Sequence, residues 1–263
     1  MVNLLKIGLS MLYAMNVPFN QMIKQIPKFN AEIVEIVDDG LHALNTRRIG
    51  KLKKLAKLHE ISFSVHAPFA DMNIASPIPT IRRFMLKRME KSIIHAASLK
   101  AELLVFHPGL KTGLSHFQPE KDWKTNLESI RWLISKANQN DVKVTIENVP
   151  AIFPFIIQNF DSFKRFFEEI NEDLDITLDI GHCNINNDTE DFIKTFGEKI
   201  VHVHLHDNDG KRDLHLGIGN GTVNWNEVIS LLKKVRFNGS VVVESVENVG
   251  ESLKKAKEFF SSL

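Results

Sequence analysis

Residues able to bind a metal end six apolar segments of this sequence. Each segment is short and rich in β-branched residues, and the six closing residues are His66, His107, Glu147, Asp179, His204 and Glu244. Histidine nitrogens mixed with carboxylate oxygens suit Zn²⁺, Mn²⁺ or Fe²⁺ better than Ca²⁺ or Mg²⁺. Carboxylates buried together repel unless they are protonated or neutralised by a cation. The set therefore predicts a divalent metal site whose metal identity stays open.

Further candidates follow the segments that end at Asp179 and His204. His182 comes three residues after Asp179, and the loop after His204 contributes Asp213 and His215. A lone histidine or carboxylate in such a place is more often a hydrogen-bonded residue or a helix cap than a ligand. In a barrel the ends of all strands meet at one face, so we expect these three residues to lie in the same cavity as the six above.

The tract "VHVHLHD" places three histidines at every second position. His202, His204 and His206 therefore share one face of a predicted strand. Either His204 or His206 could be the metal ligand; we prefer His204 and predict that His206 orients substrate or metal-bound water. His202, one layer deeper, is interpreted as a hydrogen-bonded interior residue.

Two loop residues are candidates for substrate contact. Phe69 follows His66 in "VHAPF", and Lys111 lies in "HPGLKTG" after His107, where it could reach a phosphate or be a solvated loop lysine. Phe153 and Phe155 in "VPAIFPF" could form an apolar wall of the same pocket or pack in a lid.

The elements that must position these residues alternate strand and helix eight times. The predicted strands span residues 6–10, 32–37, 61–66, 102–107, 142–147, 175–179, 200–205 and 239–244. This order predicts one (β/α)₈ barrel formed by a single domain, 1–263, in which all strand C-termini meet at one face. A doubly wound open sheet is the alternative, but "GLSMLYAMN" lacks the glycine-rich turn expected there. After the fifth strand, Asp161 or Ser162 is predicted to cap a helix.

Composition restricts the partners. Of 263 residues, 33 are Lys or Arg and 32 are Asp or Glu, so no overall field attracts a nucleic acid. The single cysteine, Cys183, fits a reducing compartment, and no apolar run approaches the roughly 18 residues of a membrane helix. We read "MVNLLKIGLSMLYAMNVPF" as a first core strand rather than a signal peptide, and expect a cytoplasmic protein with no membrane partner.

The motifs "VHAPF", "FHPG", "IEN", "LDIGH", "HLHD", "DLHLGIGNG" and "VVVES" resemble, in this order, those of the xylose isomerase-like TIM-barrel superfamily. That superfamily includes sugar and sugar-phosphate isomerases and epimerases, and endonuclease IV. The epimerase resemblance implies one metal held by Glu147, Asp179, His204 and Glu244. It further implies that Glu147 and Glu244 act as the acid–base pair around an enediolate.

The endonuclease resemblance implies up to three ions, Zn²⁺ or Mn²⁺. His66, His107 and Glu147 would hold one ion. Glu147 would also bind the ion held by Asp179, His204 and Glu244, and would so bridge the two ions. A third ion would be bound by His182, Asp213 and His215. However, the loop "APFADMNIASPIPT" carries no positive charge for a DNA backbone. We therefore rank a small sugar or sugar phosphate above DNA. A small-phosphoester hydrolase and a non-catalytic binding protein are further alternatives, and the two glutamates disfavour the second.

Overall fold

The computed structural model describes residues 5–118 and 120–261. The predicted domain, 1–263, includes a few residues outside the described part, namely residues 1–4, Pro119 and residues 262–263. The first four of them also belong to the N-terminal stretch that was interpreted as a core strand. Eight parallel strands close into a barrel in sequence order, each paired with its neighbours in the chain and the last with the first. They are β1 (Lys6–Ser10), β2 (Ile33–Val37), β3 (Ser62–His66), β4 (Leu104–Phe106), β5 (Val144–Glu147), β6 (Asp175–Asp179), β7 (Ile200–Leu205) and β8 (Ser240–Val243). The predicted (β/α)₈ barrel is confirmed.

Helices cover the outside of the barrel between the strands. In the described residues they are α1 (Phe19–Met22), α2 (Thr46–His59), α3 (Pro79–Leu99), α4 (Lys121–Gln139), α5 (Phe160–Ile170), α6 (Ile180–Asn186), α7 (Thr189–Phe196), α8 (Trp225–Lys234) and α9 (Val249–Phe260). Their buried stripes, for example Ile49 and Leu52 of α2, pack in a continuous apolar layer with the outward-facing strand residues. Within the described ranges, no helix has the length and apolar character that crossing a bilayer requires.

The barrel interior below the strand ends is polar. Glu35 of β2 contacts His202 of β7, although these strands are not neighbours, so both side chains point into the barrel. Thr145 of β5 and Thr177 of β6 share a hydrogen bond of 2.7 Å in the same interior. Barrel interiors are usually filled by Val, Ile and Leu. Buried polar groups need partners, and these residues supply partners to one another.

Local interactions shift several element boundaries from the predicted ones. The N-cap of α5 is Asn159, not Asp161 or Ser162, because the Asn159 side chain accepts from the Ser162 backbone N–H at 3.1 Å while Ser162 bonds back. The helix α6 was not predicted. Its N-cap is Asp179, the last residue of β6, whose Oδ1 accepts from the His182 N–H at 2.7 Å, so the end of β6 also starts the turn that carries His182.

Candidate functional site

Four residues from the ends of β5 to β8 converge at the C-terminal face of the barrel. Glu147, Asp179, His204 and Glu244 are buried and each offers a ligand atom within 4.8 Å of all the others. His204 Nδ1 lies 3.2 Å from a Glu147 oxygen, 3.3 Å from a Glu244 oxygen and 3.8 Å from an Asp179 oxygen. Ligands about 2.1 Å from a tetrahedral zinc lie about 3.4 Å apart. We call this group the central cluster; its spacing suits one divalent cation.

Glu147 connects the central cluster to a pair of histidines. Its Oε1 faces His204, while its Oε2 lies 3.1 Å from His66 Nε2 and 3.0 Å from His107 Nε2. Because the two oxygens face different groups, Glu147 could bridge two ions. His66, His107 and Glu147 form the histidine-pair cluster.

A loop cluster lies on the other side of Asp179. His182, His206, Asp213 and His215 offer ligand atoms within 4.8 Å of one another. Asp213 is its centre, with carboxylate oxygens 3.5 Å from His182 Nε2, 3.8 Å from His206 Nε2 and 3.3 Å from His215 Nε2. The three residues predicted as a separate set do come together, and His206 joins them as a fourth member.

Backbone carbonyls orient three histidines of the histidine-pair cluster and the loop cluster. Nδ1 of His66 lies 2.8 Å from Ala67 O, Nδ1 of His182 lies 2.8 Å from Asn148 O, and Nδ1 of His215 lies 3.0 Å from Glu244 O. A neutral imidazole that donates from Nδ1 keeps its lone pair on Nε2. Each Nε2 faces a cluster, which is the arrangement typical of metal-binding histidines.

Several buried polar atoms at the clusters have no hydrogen-bond partner. Asp179 Oδ2, His206 Nε2 and Asp213 Oδ1 are among them. His206 Nε2 is 3.0 Å from Asp179 Oδ1, but the orientation does not make a hydrogen bond. Unsatisfied buried polar atoms are rare and often mark a missing ion or water. The donor set and its orphaned atoms therefore fit a divalent metal.

Without a cation, protons on neighbouring histidines balance the charge of the buried carboxylates. Burial favours the protonated form of Glu147, but His204 and His107 beside it hold its pKa well below the usual value. Burial would lower the pKa of His182, yet Asp179 and Asp213 raise it to about 10. Since ligand histidines must lose their protons, a metal and protons compete for these clusters.

A cavity of about 620 Å³ opens above the clusters. Its floor is formed by metal-competent residues from all three clusters: His66, His107, Glu147, His182, Asp213, His215 and Glu244. Its wall is apolar and consists of Leu12, Val37, Phe69, Leu110, Val149, Pro150, Phe153, Pro154, Phe155 and Val246. Phe153 and Phe155 thus line the cavity, which was one of their two predicted roles.

A family model described as "xylose isomerase-like TIM barrel" matches residues 23–263. The chain belongs to this family. It is 30% identical to an uncharacterised protein of Methanocaldococcus jannaschii over 254 residues, covering 95% of this chain and 86% of the relative. It is 26% identical to the D-psicose 3-epimerase of Ruminiclostridium cellulolyticum over 242 residues, covering 88% and 80%. A solved D-tagatose 3-epimerase-like protein superposes with a TM-score of 0.91 at 29% identity, covering 98% of each chain.

In this xylose isomerase-like barrel, the predicted substrate contacts have different positions. Phe69 is on the cavity wall, its ring centroid 5.6 Å from that of His66. Lys111 is exposed, is not on the wall, and places its Nζ 3.1 Å from Gln158 Oε1. Leu110 pairs with Phe155 in a short antiparallel bridge and lines the cavity, so the next side chain turns outward. His206 is fully buried in the loop cluster and does not line the cavity.

Sequence reasoning missed Glu35, which lies behind His204. Its Oε1 is 3.3 Å from His204 Nε2, and its Oε2 is 3.1 Å from both His202 Nε2 and Ser64 Oγ. The other nitrogen of His202 is 2.6 Å from Ser240 Oγ, in agreement with the predicted hydrogen-bonded interior role. The available signal was a glutamate in the middle of the otherwise apolar strand "IVEIV", since an ionisable residue on a buried strand needs a specific partner.

Proposed function

We propose that this protein is a divalent-metal-dependent epimerase or isomerase of keto-sugars, in which Glu147 and Glu244 form the acid–base pair. One observation carries the proposal: two glutamates from β5 and from the end of β8 reach the cavity floor and meet at the same histidine nitrogen, 3.2 and 3.3 Å away. Similarity to a D-psicose 3-epimerase and a D-tagatose 3-epimerase-like protein supports it.

The central cluster would hold the catalytic metal, Zn²⁺ or Mn²⁺, through Glu147, Asp179, His204 and Glu244. When bound, the metal polarises the carbonyl and adjacent hydroxyl oxygens of the substrate and makes the neighbouring C–H more acidic. One glutamate removes that proton, and the other returns a proton on the opposite face or on the neighbouring carbon. Asp179 and His204 do not line the cavity, so their part is to hold the metal from below.

The histidine-pair cluster and the loop cluster would raise the number of ions to as many as three. This complement of donors also favours a second candidate, an endonuclease IV-like phosphodiesterase acting at abasic sites. Probable endonuclease 4 of Staphylococcus saprophyticus is 24% identical over 238 residues, covering 81% of this chain and 78% of the relative. Against it, the residues known to line the cavity include no lysine or arginine, whereas gripping DNA relies on neutralising phosphates.

The decisive experiment is proton exchange from solvent. The metal-loaded protein is incubated in D₂O with D-psicose, D-tagatose and D-fructose, and deuterium beside the carbonyl is measured by NMR. We expect exchange with at least one ketose and a loss of at least about 100-fold in both Glu147→Gln and Glu244→Gln. The exposed Glu172→Gln serves as control, and elemental analysis reports the metal content of every variant.

A different result would favour the phosphodiesterase over the epimerase. No exchange with any ketose, together with incision of an abasic-site oligonucleotide that Glu147→Gln abolishes, would replace the epimerase by the phosphodiesterase.

A further inference from the structure

None of the described residues on the cavity wall has a side chain that recognises sugar hydroxyls or phosphate. Above the metal-competent floor, each described side chain on the wall is aliphatic, aromatic or proline. Serine, threonine, asparagine, glutamine, lysine and arginine are absent from this lining. A hydroxyl group buried against such a wall loses its water without gaining a side-chain partner, which costs roughly tenfold or more in affinity. A phosphate would lose more because its charge has no counter-ion there.

Aromatic rings extend from the floor to the mouth of the cavity. The Phe155 ring stands edge-on to His107 with centroids 5.7 Å apart, and Phe153 follows with its centroid 6.4 Å from that of Phe155. The ring centroid of Phe69, a second aromatic neighbour of His107, lies 6.1 Å from that of His107. Phe69 is 38% exposed and Phe153 is 44% exposed. Large apolar side chains left open to water around a cleft are typical of a ligand-binding surface.

Hydrogen bonds fix the loops that carry these rings. Phe69 N donates to Asp39 Oδ2 at 3.1 Å, which fixes the loop after β3. The Phe153 carbonyl accepts from Gln158 Nε2 at 2.6 Å, and Pro154 O accepts from Lys111 N at 2.7 Å. The exposed rings are therefore features of a fixed cleft and not of a collapsed or frayed segment.

The cavity is also large enough for a ligand of drug size. Its volume of about 620 Å³ falls within the range of about 300–1,000 Å³ that holds drug-sized ligands. In the described part of the chain, the polar side chains that line the cavity all lie on its floor, so a ligand that fills the cavity has one polar end and an apolar remainder.

We propose that the substrate is an uncharged keto-sugar glycoside with an apolar aryl or alkyl aglycone. Its hydroxyketone end contacts the floor, and its aglycone contacts Phe69, Phe153 and Phe155. This assignment rests on the proposed function, because the hydroxyketone end is the part that the acid–base glutamates act on. A sugar phosphate, one of the two substrate classes that the sequence favoured, does not match this wall.

The test compares ligands that differ only away from the reacting end. Binding of phenyl 3-keto-β-D-glucopyranoside, methyl 3-keto-β-D-glucopyranoside and 3-keto-D-glucose 6-phosphate to the metal-loaded protein is measured by calorimetry. We expect the phenyl glycoside to bind at least 30-fold more tightly than the methyl glycoside, and the phosphate to bind most weakly. Phe153→Asn should remove most of the phenyl preference, so that the phenyl and methyl glycosides bind to this variant with similar affinities. Phe117→Asn is the matched control, because Phe117 is 76% exposed and is not on the cavity wall.

The outcomes separate this inference from the proposed function. Equal affinity for the phenyl and methyl glycosides, tighter binding of the phosphate, or a phenyl preference that survives Phe153→Asn would each overturn the apolar-aglycone assignment. Deuterium exchange with the methyl glycoside in that case would leave the epimerase or isomerase proposal standing. A phenyl preference lost in Phe153→Asn, with no exchange in any keto-sugar, would support the apolar site and contradict the proposed reaction.

Discussion

Glu35 lies on the side of the His204 ring that faces away from the cavity. Its Oε1 is 3.3 Å from His204 Nε2, and His204 Nδ1 faces the carboxylates of the central cluster. Burial raises the pKa of Glu35, but His204 and His202 outweigh it and lower the pKa below its usual range. The ionised Glu35 therefore favours a proton on Nε2, which leaves Nδ1 as the metal ligand.

Replacing the Glu35 carboxylate by an amide of the same shape should weaken metal binding while the protein stays folded. We expect Glu35→Gln to reduce the affinity of the central cluster for Zn²⁺ by about 10- to 100-fold, measured by competition with a chelator. Glu172→Gln, on the surface, is the control, and circular dichroism checks that the variant is folded. Unchanged affinity in a folded Glu35→Gln protein would exclude a positioning role.

Asp188 has a buried carboxyl group whose ionised form is disfavoured by burial. Burial, with a smaller contribution from Asp191, raises its pKa to about 6, although the Phe160 N–H donates to it at 3.0 Å. Since the folded-state pKa exceeds the ordinary value of 3.8, the folded state binds more protons than the unfolded state between pH 4 and 6. This group therefore makes the protein less stable as the pH rises through that window.

An amide at position 188 should remove that pH dependence. Well above pH 6, the free energy of unfolding of Asp188→Asn is expected to be about 3 kcal/mol higher than that of the wild type. The difference should shrink towards pH 4 in denaturant titrations. The exposed Asp173→Asn is the control. A lower stability of Asp188→Asn at pH 8, or a difference independent of pH, would contradict this interpretation.

The loop between β7 and α8 is organised by one carboxylate. Asp207 accepts from Trp225 Nε1 at 2.9 Å, Gly219 N at 2.9 Å and Val223 N at 3.1 Å, and its backbone pairs with Leu216. This loop carries Asp213 and His215 to the loop cluster. Asp207 is thus a structural anchor for residues that it does not contact itself.

Weakening this anchor should affect the clusters unequally. In Asp207→Asn, we expect the loop cluster to lose at least about tenfold in metal affinity, because the new amide N–H₂ faces donors, while the central cluster keeps its ion. Metal titration followed by elemental analysis measures both. Asp209→Asn is the control on the same loop, since its carboxylate pairs with Arg212. Equal losses at both clusters would argue against separate sites.

The elements differ in how far the sequence could predict them. For β6 and β7, the strand bounds predicted from the apolar runs coincide with the observed ones, because buried β-branched segments carry a strong local pattern. The helix α6 has seven residues with no apolar period, and its start depends on the Asp179 side chain. The outward turn of Lys111 depends on a bridge between Leu110 and Phe155, residues 45 positions apart, which no local pattern reveals.

Barrel closure determines which residues of the whole molecule meet. Strand-end residues from His66 to Glu244 were predicted to share a cavity, and they lie at its floor or directly beneath it. The contacts of Glu35 with His202 and His204 join strands on different sides of the barrel, so their pairing could be found only after closure. A metal in the central cluster would link β5, β6, β7 and the end of β8.

Because the clusters join several strands, metal removal should lower the stability of the whole barrel. A ligand present at about 1,000 times its Kd stabilises by about 4 kcal/mol, which corresponds to roughly 10 °C in Tm for a chain of this size. We expect that decrease after chelator treatment and recovery on adding Zn²⁺ or Mn²⁺. An unchanged Tm in protein shown to have lost its metal would contradict a structural link across the strands.

Metal stoichiometry tests the central claim most directly. The protein is supplemented with Zn²⁺ or Mn²⁺, freed of excess metal and analysed for metal per chain, alongside a double variant of the central cluster, Asp179→Asn with Glu244→Gln. We predict at least one equivalent in the wild type and a loss of at least one equivalent in the double variant. Less than one equivalent in the supplemented wild type would contradict the proposed metal centre and the chemistry built on it.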